Sequence, residues 1–560
     1  MIREQIAQWV RQAIDAAATA QGWEISELPA VEVEVPRNPE FGDYATNAAM
    51  ALTRLLRRNP REIAAHLRAH LPPQTEEWVE RVEIAGAGFL NFYLRPGWAG
   101  KVVRHILTED QRYGETQIGA GKRALIEFVS ANPTGPLSLG HGRNAAVGDT
   151  LARVFEANGY KVEREFYIND GENSTQIRNF ALSVWARYRQ LKGEPAEMPE
   201  DGYFGEYVID IARWIAEHHG ESLVQDDAEA TLKRFEQVAT QLMLEMQKQD
   251  LQDFRVVFDR WFSEQSLYES SAVQKTLEQL KANGYAYEAE GALWLRSTAF
   301  GDEKDRVLVR ANGVPTYLAA DVAYHRDKYE RGYDMMIDLW GADHHGYVAR
   351  MKAAMAALGY DPSKLHILIY QLVNLYRGDE VVRMSKRAGD LITLREVMDE
   401  IGVDALRFFY MLRSHDSTLD IDLELAKEQS EKNPVYYVQY AHARICSIER
   451  TAQERGVALP PFEEVPLEAL THPAEVALIK QLADLPHEVM LAGTQFAPHR
   501  LTAYALDTAR AFHSFYTECR VLGAETEALQ AARLWLVKAT RLVLAKTLSL
   551  LGVSAPERME

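Results

Sequence analysis

Ile126-Glu127-Phe128-Val129-Ser130-Ala131-Asn132-Pro133-Thr134-Gly135-Pro136-Leu137-Ser138-Leu139-Gly140-His141-Gly142-Arg143-Asn144 is the stretch on which the reading of the fold turns. Its lead, Ala124 to Val129, has the apolar composition of a buried strand, and a Pro/Gly loop follows. A helical pattern runs from about Gly142 to Asn158 and stops at Gly159; Tyr160 to Ile168 reads as a second strand. Strand, loop, helix and parallel strand make a βαβ unit, the seed of a doubly wound sheet. A strand end that opens a helix gathers free backbone N–H groups and the positive end of the helix dipole, which suits phosphates. Gly140 and Gly142 let a nucleotide approach the backbone, and His141 can donate to a phosphate oxygen.

Working outward, residues 116–395 form an α/β domain. Its strands resume at Ala292–Leu295, Met335–Leu339 and His366–Tyr370, after a helical insertion over about 178–295. Leu232, Phe235, Val238, Leu242 and Met246 line one insertion helix at helical spacing. Residues 1–115 form a smaller α/β domain. Its first helix is paced by Ile2, Ile6, Trp9, Val10 and Ile14, a period-2 strand spans Val31 to Val35, and a helix starts after Pro60. From 396 to 560 the pattern is almost wholly helical, and Val537, Leu542, Val543, Leu544 and Leu548 place the last helix deep in a bundle. The length of 560 residues fits several cores rather than one.

The formal charge of −19 argues against a general nucleic-acid binder, yet binding is local. Arg54, Arg57, Arg58, Arg61 and Arg68 cluster with Glu62 as the one acid among them, either as a solvated helix face or as a contact for an RNA backbone. Two cysteines, Cys446 and Cys519, build no disulfide framework and no zinc motif. No signal peptide or membrane span is expected, and cytoplasmic residence is. Asp343-His344-His345 is not expected to hold a metal, because adjacent side chains diverge and no third ligand has metal spacing.

Two further segments complete the pattern: Arg383-Met384-Ser385-Lys386-Arg387, rich in cations, and Tyr317-Leu318-Ala319-Ala320-Asp321, whose ends share a helix face. With these in view, the Ser138–His141 region resembles the HIGH signature of class I aminoacyl-tRNA synthetases, with Ser138 where the first His stands. Its flanks resemble the arginyl branch. Residues 383–386 resemble the KMSKS loop of that class. Asp404-Ala405-Leu406-Arg407 resembles the motif after which a helical anticodon-binding domain is named.

The resemblance implies a Rossmann-like catalytic domain between an N-terminal tRNA-contacting domain and an all-α anticodon-binding domain. It implies ATP with Mg2+, L-arginine and tRNA(Arg) as ligands, with tRNA bound before activation; we expect a monomer. Catalysis falls to His141, Ser138, Lys386, Arg383 and Ser385. ATP falls to Gly140, His141, Gly341, Asp343, His344, Met384 and Lys386. Arginine falls to Glu127, Asn132, Tyr317 and Asp321: a guanidinium is a fork of donors and calls for carboxylates. Phe41, Asn47, Tyr436 and Arg444 are expected to meet tRNA, and the segment Tyr167–Asn173 to lie near the site. Ser138 cannot carry the charge of a histidine. That leaves a catalytically impaired tRNA-binding regulator as one alternative, and a class I synthetase for another amino acid as the other.

Overall fold

The computed structural model describes residues 2–171, 174–382 and 392–559. Its central sheet has five parallel strands: β1 (Arg123–Glu127), β2 (Lys161–Ile168), β3 (Arg260–Ser263), β4 (Met335–Gly341) and β5 (Leu365–Tyr370). Their order is β5-β4-β1-β2-β3. Ala124, Leu125 and Ile126 are fully buried, as a central strand covered on both faces requires. The chain lays β2 and β3 on one side of β1, then crosses to lay β4 and β5 on the other. That reversal opens a crevice at the carboxyl ends of β1 and β4, the place where such sheets bind ligands. Helix α1 (Leu139–Ala157) joins β1 to β2, and helix α2 (Tyr317–Glu330) precedes β4.

Several expectations change in detail. The run of insertion helices breaks at Asp253, Arg260–Ser263 rejoins the sheet beside β2, and helices resume at Gln265–Glu269 and Ala272–Ala282. Four residues are too few to show a period, so β3 leaves no pattern in the sequence. The insertion helices Thr175–Leu191, Glu206–His219 and Ala228–Asp253 pack around Phe180, Val184, Ile211 and Phe235. On the third helix the buried stripe is Leu232, Phe235, Ala239 and Met243, whereas Met246 is exposed. Ala292–Leu295 belongs to a separate antiparallel sheet with Ala286–Ala289 and Arg306–Val309. In the N-terminal domain the strand keeps only Val33–Glu34, because Pro36 offers no N–H and constrains Val35. That strand joins a four-stranded sheet under the helix Ile2–Gln21.

The C-terminal bundle is built from α3 (Pro434–Glu454) and later helices, of which the last, Glu527–Leu550, buries Val537, Val543, Leu544 and Leu548 completely. The region after 396 is not wholly helical: Leu419–Asp422 pairs in parallel with Val373–Arg377. Arg407 sits fully buried at the seam of the domains. It donates to Asp149 Oδ2 at 2.6 Å, the Leu551 carbonyl at 3.0 Å and the Phe254 carbonyl at 3.1 Å. One side chain thereby ties α1, the end of the insertion and the C-terminal tail.

Candidate functional site

The helix begins at Leu139, earlier than its pattern suggests, with Ser138 as N-cap in extended conformation. The Ser138 hydroxyl accepts from the His141 N–H at 3.4 Å, and the Ser138 N–H donates to His141 Nδ1 at 3.1 Å. A neutral ring that accepts at Nδ1 carries its proton on Nε2. Ser138 therefore organises the helix start and sets the tautomer of His141. The two glycines divide their labour. A Cβ on Gly142 would strike Leu394 Cδ1 and the Tyr410 hydroxyl, each at 2.7 Å, so this position is small for packing and not, as the sequence suggested, for a nucleotide. A Cβ on Gly140 would meet nothing closer than Ser138 Oγ at 3.7 Å, so the open side of the loop lies there.

Between β1 and α1 the backbone takes two consecutive left-handed residues, Val129 at φ 67° and Ser130 at φ 44°. A β-branched residue there is strained, and such strain gathers at functional sites. Asn144 on α1 holds the turn: its Oδ1 accepts from the Val129 N–H at 2.9 Å, and its Nδ2 donates to the Leu339 carbonyl at 3.1 Å. One amide thus joins the ends of β1 and β4, the two strands that flank the crevice.

Arg383, Met384, Ser385 and Lys386 lie outside the described residues. The chain just after them is placed: Thr393 bridges Ser138, and the Leu394 N–H donates to the Leu137 carbonyl at 2.8 Å. On the β4 side, Gly341 leads into Ala342–His344, where the exposed His344 ring meets Asp343 Oδ1 at 2.9 Å. Among the described residues no group of three His, Cys, Asp or Glu side chains is placed to hold a metal.

Across the crevice is an acidic pocket. Asp321 lies one turn into α2, on the face of Tyr317, which is 68% exposed at the helix start. Burial lifts the Asp321 carboxyl to about 6, against the pull of His325. Glu264, just after β3, is lifted to about 7 by burial and by the neighbouring charges of Asp321 and Asp170. The Tyr167 hydroxyl faces Glu264 and holds this rise down in part. Asp170 is oriented by the Ser263 hydroxyl at 2.7 Å and the Gln265 N–H at 3.1 Å. Neither Asp321 nor Glu264 takes part in an ion pair among the described residues. Two acids that burial keeps from ionising, one of them raised by the other, would be eased by a cation brought beside them. Glu264 escapes sequence reading, since a lone acid after a short strand carries no spacing signal. From the Tyr167 segment, Tyr167 and Asp170 border these acids; its Glu172 and Asn173 lie outside the described residues.

Glu127 and Asn132 are placed differently from each other. Glu127, at the end of β1, is buried and already paired: Oε2 accepts from Lys328 at 2.5 Å and Oε1 from the Ser130 hydroxyl at 2.8 Å. Asn132 is exposed; it donates to Gln176 Oε1 at 2.5 Å and accepts from Asn169 Nδ2 at 2.9 Å. The buried Gln247 amide of the insertion donates to the Asn132 and Gly135 carbonyls at 3.0 and 2.8 Å, fixing the loop.

The expected tRNA contacts lie elsewhere. Arg444 on α3 donates to the Tyr440 hydroxyl at 2.7 Å and lies over the Tyr440 and Tyr516 rings at 4.8 and 5.2 Å. It borders a cavity of about 1170 Å³ lined also by Arg450, Arg455, Arg520 and Arg558, with Glu518 as the one acid. Tyr436 stacks on Tyr440 with centroids 5.9 Å apart and planes 10° apart. In the N-terminal domain Phe41 is 52% exposed, and Asn47 stands half-buried before the helix Ala48–Ala51. Arg54, Arg57, Arg58, Arg61 and Arg68 are all exposed there.

Comparison with known proteins covers the whole chain. Residues 4–94 match the arginyl tRNA synthetase N terminal domain, residues 102–422 the catalytic domain of tRNA synthetases class I (R), and residues 438–559 the DALR anticodon binding domain. The catalytic match reaches past 395, in keeping with the strand at Leu419–Asp422. An arginine–tRNA ligase of Heliobacterium modesticaldum is 50% identical over 562 residues, 100% of this chain and 99% of its own. One of Carboxydothermus hydrogenoformans is 52% identical over 544 residues, 97% of each. In fold, the chain matches the solved arginyl-tRNA synthetase of Thermus thermophilus with a TM-score of 0.78 at 24% identity, covering 100% of both.

Proposed function

This chain belongs to the arginyl-tRNA synthetase family, and we propose that its crevice holds ATP against α1 and arginine against α2, joins them, and passes the arginyl group to tRNA. The observation that carries the choice of amino acid is the Asp321–Glu264 pair, two carboxyls that join no ion pair among the described residues, at the side of a nucleotide-type crevice. A guanidinium offers planar paired donors to such a pair, whereas an ammonium is a point donor.

ATP lies across Gly140, His141 and the loop of Gly341, Asp343 and His344. Mg2+ enters with the ATP phosphates, as that ion commonly does. Tyr317, Asp321, Glu264 and Glu127 receive the cationic end of arginine, and Asn132 the α-amino group. The arginine carboxylate oxygen attacks the α-phosphorus, the bond to the bridging oxygen breaks, and pyrophosphate leaves. His141 donates from Nε2 to a phosphate oxygen as charge grows there. Lys386 and Arg383 bring further positive charge, the role implied by their resemblance to the KMSKS loop. A ribose hydroxyl at the tRNA 3′ end then attacks the carbonyl carbon, and AMP leaves.

The arginine-lined cavity beside α3, with Tyr436 and Tyr440 stacked nearby, suits unpaired bases and their phosphates. Phe41, Asn47 and the arginines from 54 to 68 suit another part of the same RNA. Every group named comes from one chain, so a monomer suffices. Charging of a tRNA mixture with each labelled amino acid in turn tests the whole reading. Arginine alone should be attached. Attachment of another amino acid would sink the pocket assignment, and attachment of none would favour the regulator.

A further inference from the structure

Three strands of the central sheet bring three carboxylates into one row. Asp338 on β4, Glu127 on β1 and Glu165 on β2 are register partners, and all are buried. Neighbouring buried acids repel one another and take up protons unless cations meet them. Helix α2 and the residue after it supply the donors. Lys328, fully buried, donates to Glu127 Oε2 at 2.5 Å and Asp338 Oδ1 at 2.7 Å. His325 Nε2 meets Asp338 Oδ2 at 2.7 Å, and Arg331 pairs with both oxygens of Glu165 at 2.6 and 2.9 Å. The Tyr324 hydroxyl donates to Glu165 Oε1 at 2.5 Å.

Two turns before Lys328, the same helix presents Asp321 to the acidic pocket. The ammonium therefore does two things at once. It neutralises an acid at the floor of the pocket, and it keys the helix carrying Asp321 to the strand carrying Glu127.

We propose that Lys328 is a positioning residue for arginine, which by bridging Glu127 and Asp338 keeps Glu127 ionised and sets its spacing from Asp321. Lys328 is enclosed and touches no substrate. The inference rests on the reading of Glu127 as an arginine ligand. Around Glu127, burial pushes its carboxyl up, Lys328 pulls it back and Asp338 adds to the rise. Asp321, His325, Tyr167 and Tyr324 face it as well, and Glu165, with Arg331 on it, is its register partner on β2. Without the ammonium a proton settles on Glu127, since Asp338 keeps His325. A neutral Glu127 then loses its charge-assisted bond to the arginine cation.

The test is steady-state charging by Lys328→Met across pH, with arginine and ATP titrated separately. Near neutral pH the arginine KM should rise about 10- to 100-fold over wild type, the worth of one charge-assisted hydrogen bond. The ATP KM should not move. The ratio of variant to wild-type arginine KM should fall as pH rises, because Glu127 then loses its proton without help. Lys328 also pulls Asp321 down, so the same ratio is taken in a Glu127→Gln background, and only the part lost there is assigned to Glu127. A ratio independent of pH, or an equal loss for ATP, overturns the proposal. Should Lys328→Met fail to fold, Asp338→Asn keeps an acceptor for His325 and leaves Lys328 wholly to Glu127. It should move the acid limb of the arginine profile to lower pH, and an unmoved limb overturns the proposal. Glu127→Gln separates the two layers. An unchanged arginine KM there removes Glu127 as a ligand and the proposal with it. A raised arginine KM beside an unresponsive Lys328→Met removes the Lys328 role alone.

Discussion

Arginine binding should be linked to proton release, and the acidic pocket sets the size of the effect. In the free protein Glu264 holds its proton up to about 7 and Asp321 up to about 6. A bound guanidinium requires both as carboxylates. As pH falls from about 8 to about 6, binding must first expel a proton from Glu264, which costs about 10-fold in affinity, and at the end one from Asp321, about 2-fold more. The apparent arginine affinity should therefore drop about 20-fold over that range. The assay is calorimetric titration in buffers of different ionisation enthalpy, which counts the protons released, near one at about pH 6.5. Glu264→Gln should remove about three quarters of that release, leaving the part owed to Asp321, while weakening arginine throughout. The sign for stability is the reverse of a paired acid. Glu264 has its folded value raised, so its ionisation disfavours the folded state. That loss sets in as pH rises through the usual carboxylate range and is complete above about 7. Glu264→Gln should then raise the stability of the free protein by about 1–3 kcal/mol at about pH 8. An arginine affinity flat between about pH 8 and about pH 6, with no proton released, would refute the reasoning.

Lys386→Ala should cost about 2–4 kcal/mol in the activation barrier, read as lost turnover with little change in arginine binding; unchanged turnover would remove the loop from catalysis. Arg407→Ala should destabilise by about 2–4 kcal/mol, because it strips the buried Leu551 and Phe254 carbonyls of their donor and leaves Asp149 with Arg153 and the more distant Arg164; a chemical denaturation midpoint near wild type would show the seam to be dispensable. Arg444→Ala should raise the tRNA KM by the equivalent of about 1–3 kcal/mol and leave the arginine KM unchanged, and a rise in both would place the residue elsewhere than in RNA binding.

Features that depend on a few neighbouring residues were legible before any coordinates. The i, i+4 placement of Tyr317 and Asp321 on one face is a property of a single helix, whereas the capping of α1 by Ser138 onto His141 does not show in its pattern. The strand–loop–helix passage from Ala124 to Asn158 writes its periods directly into the residue order. The resemblance added what periods cannot, namely the amino acid and the RNA. Even locally, one pattern had two causes: Gly140 and Gly142 look alike in sequence, yet one faces open space and the other Tyr410, over 260 residues away along the chain.

What the sequence alone determined, then, is the longer helices and strands and the chemistry carried on each, because hydrophobic period and helix geometry act over a few residues; four-residue strands such as β3 fall below that reach. What only the tertiary structure decided is which charges meet. Glu264 joins Asp321, and Lys328 reaches Glu127, only after β3 has slotted beside β2 and α2 has settled across β4 and β1. The electrostatic energy of such groups depends on burial and on distances of a few ångströms between segments far apart in the chain, and no local period records either.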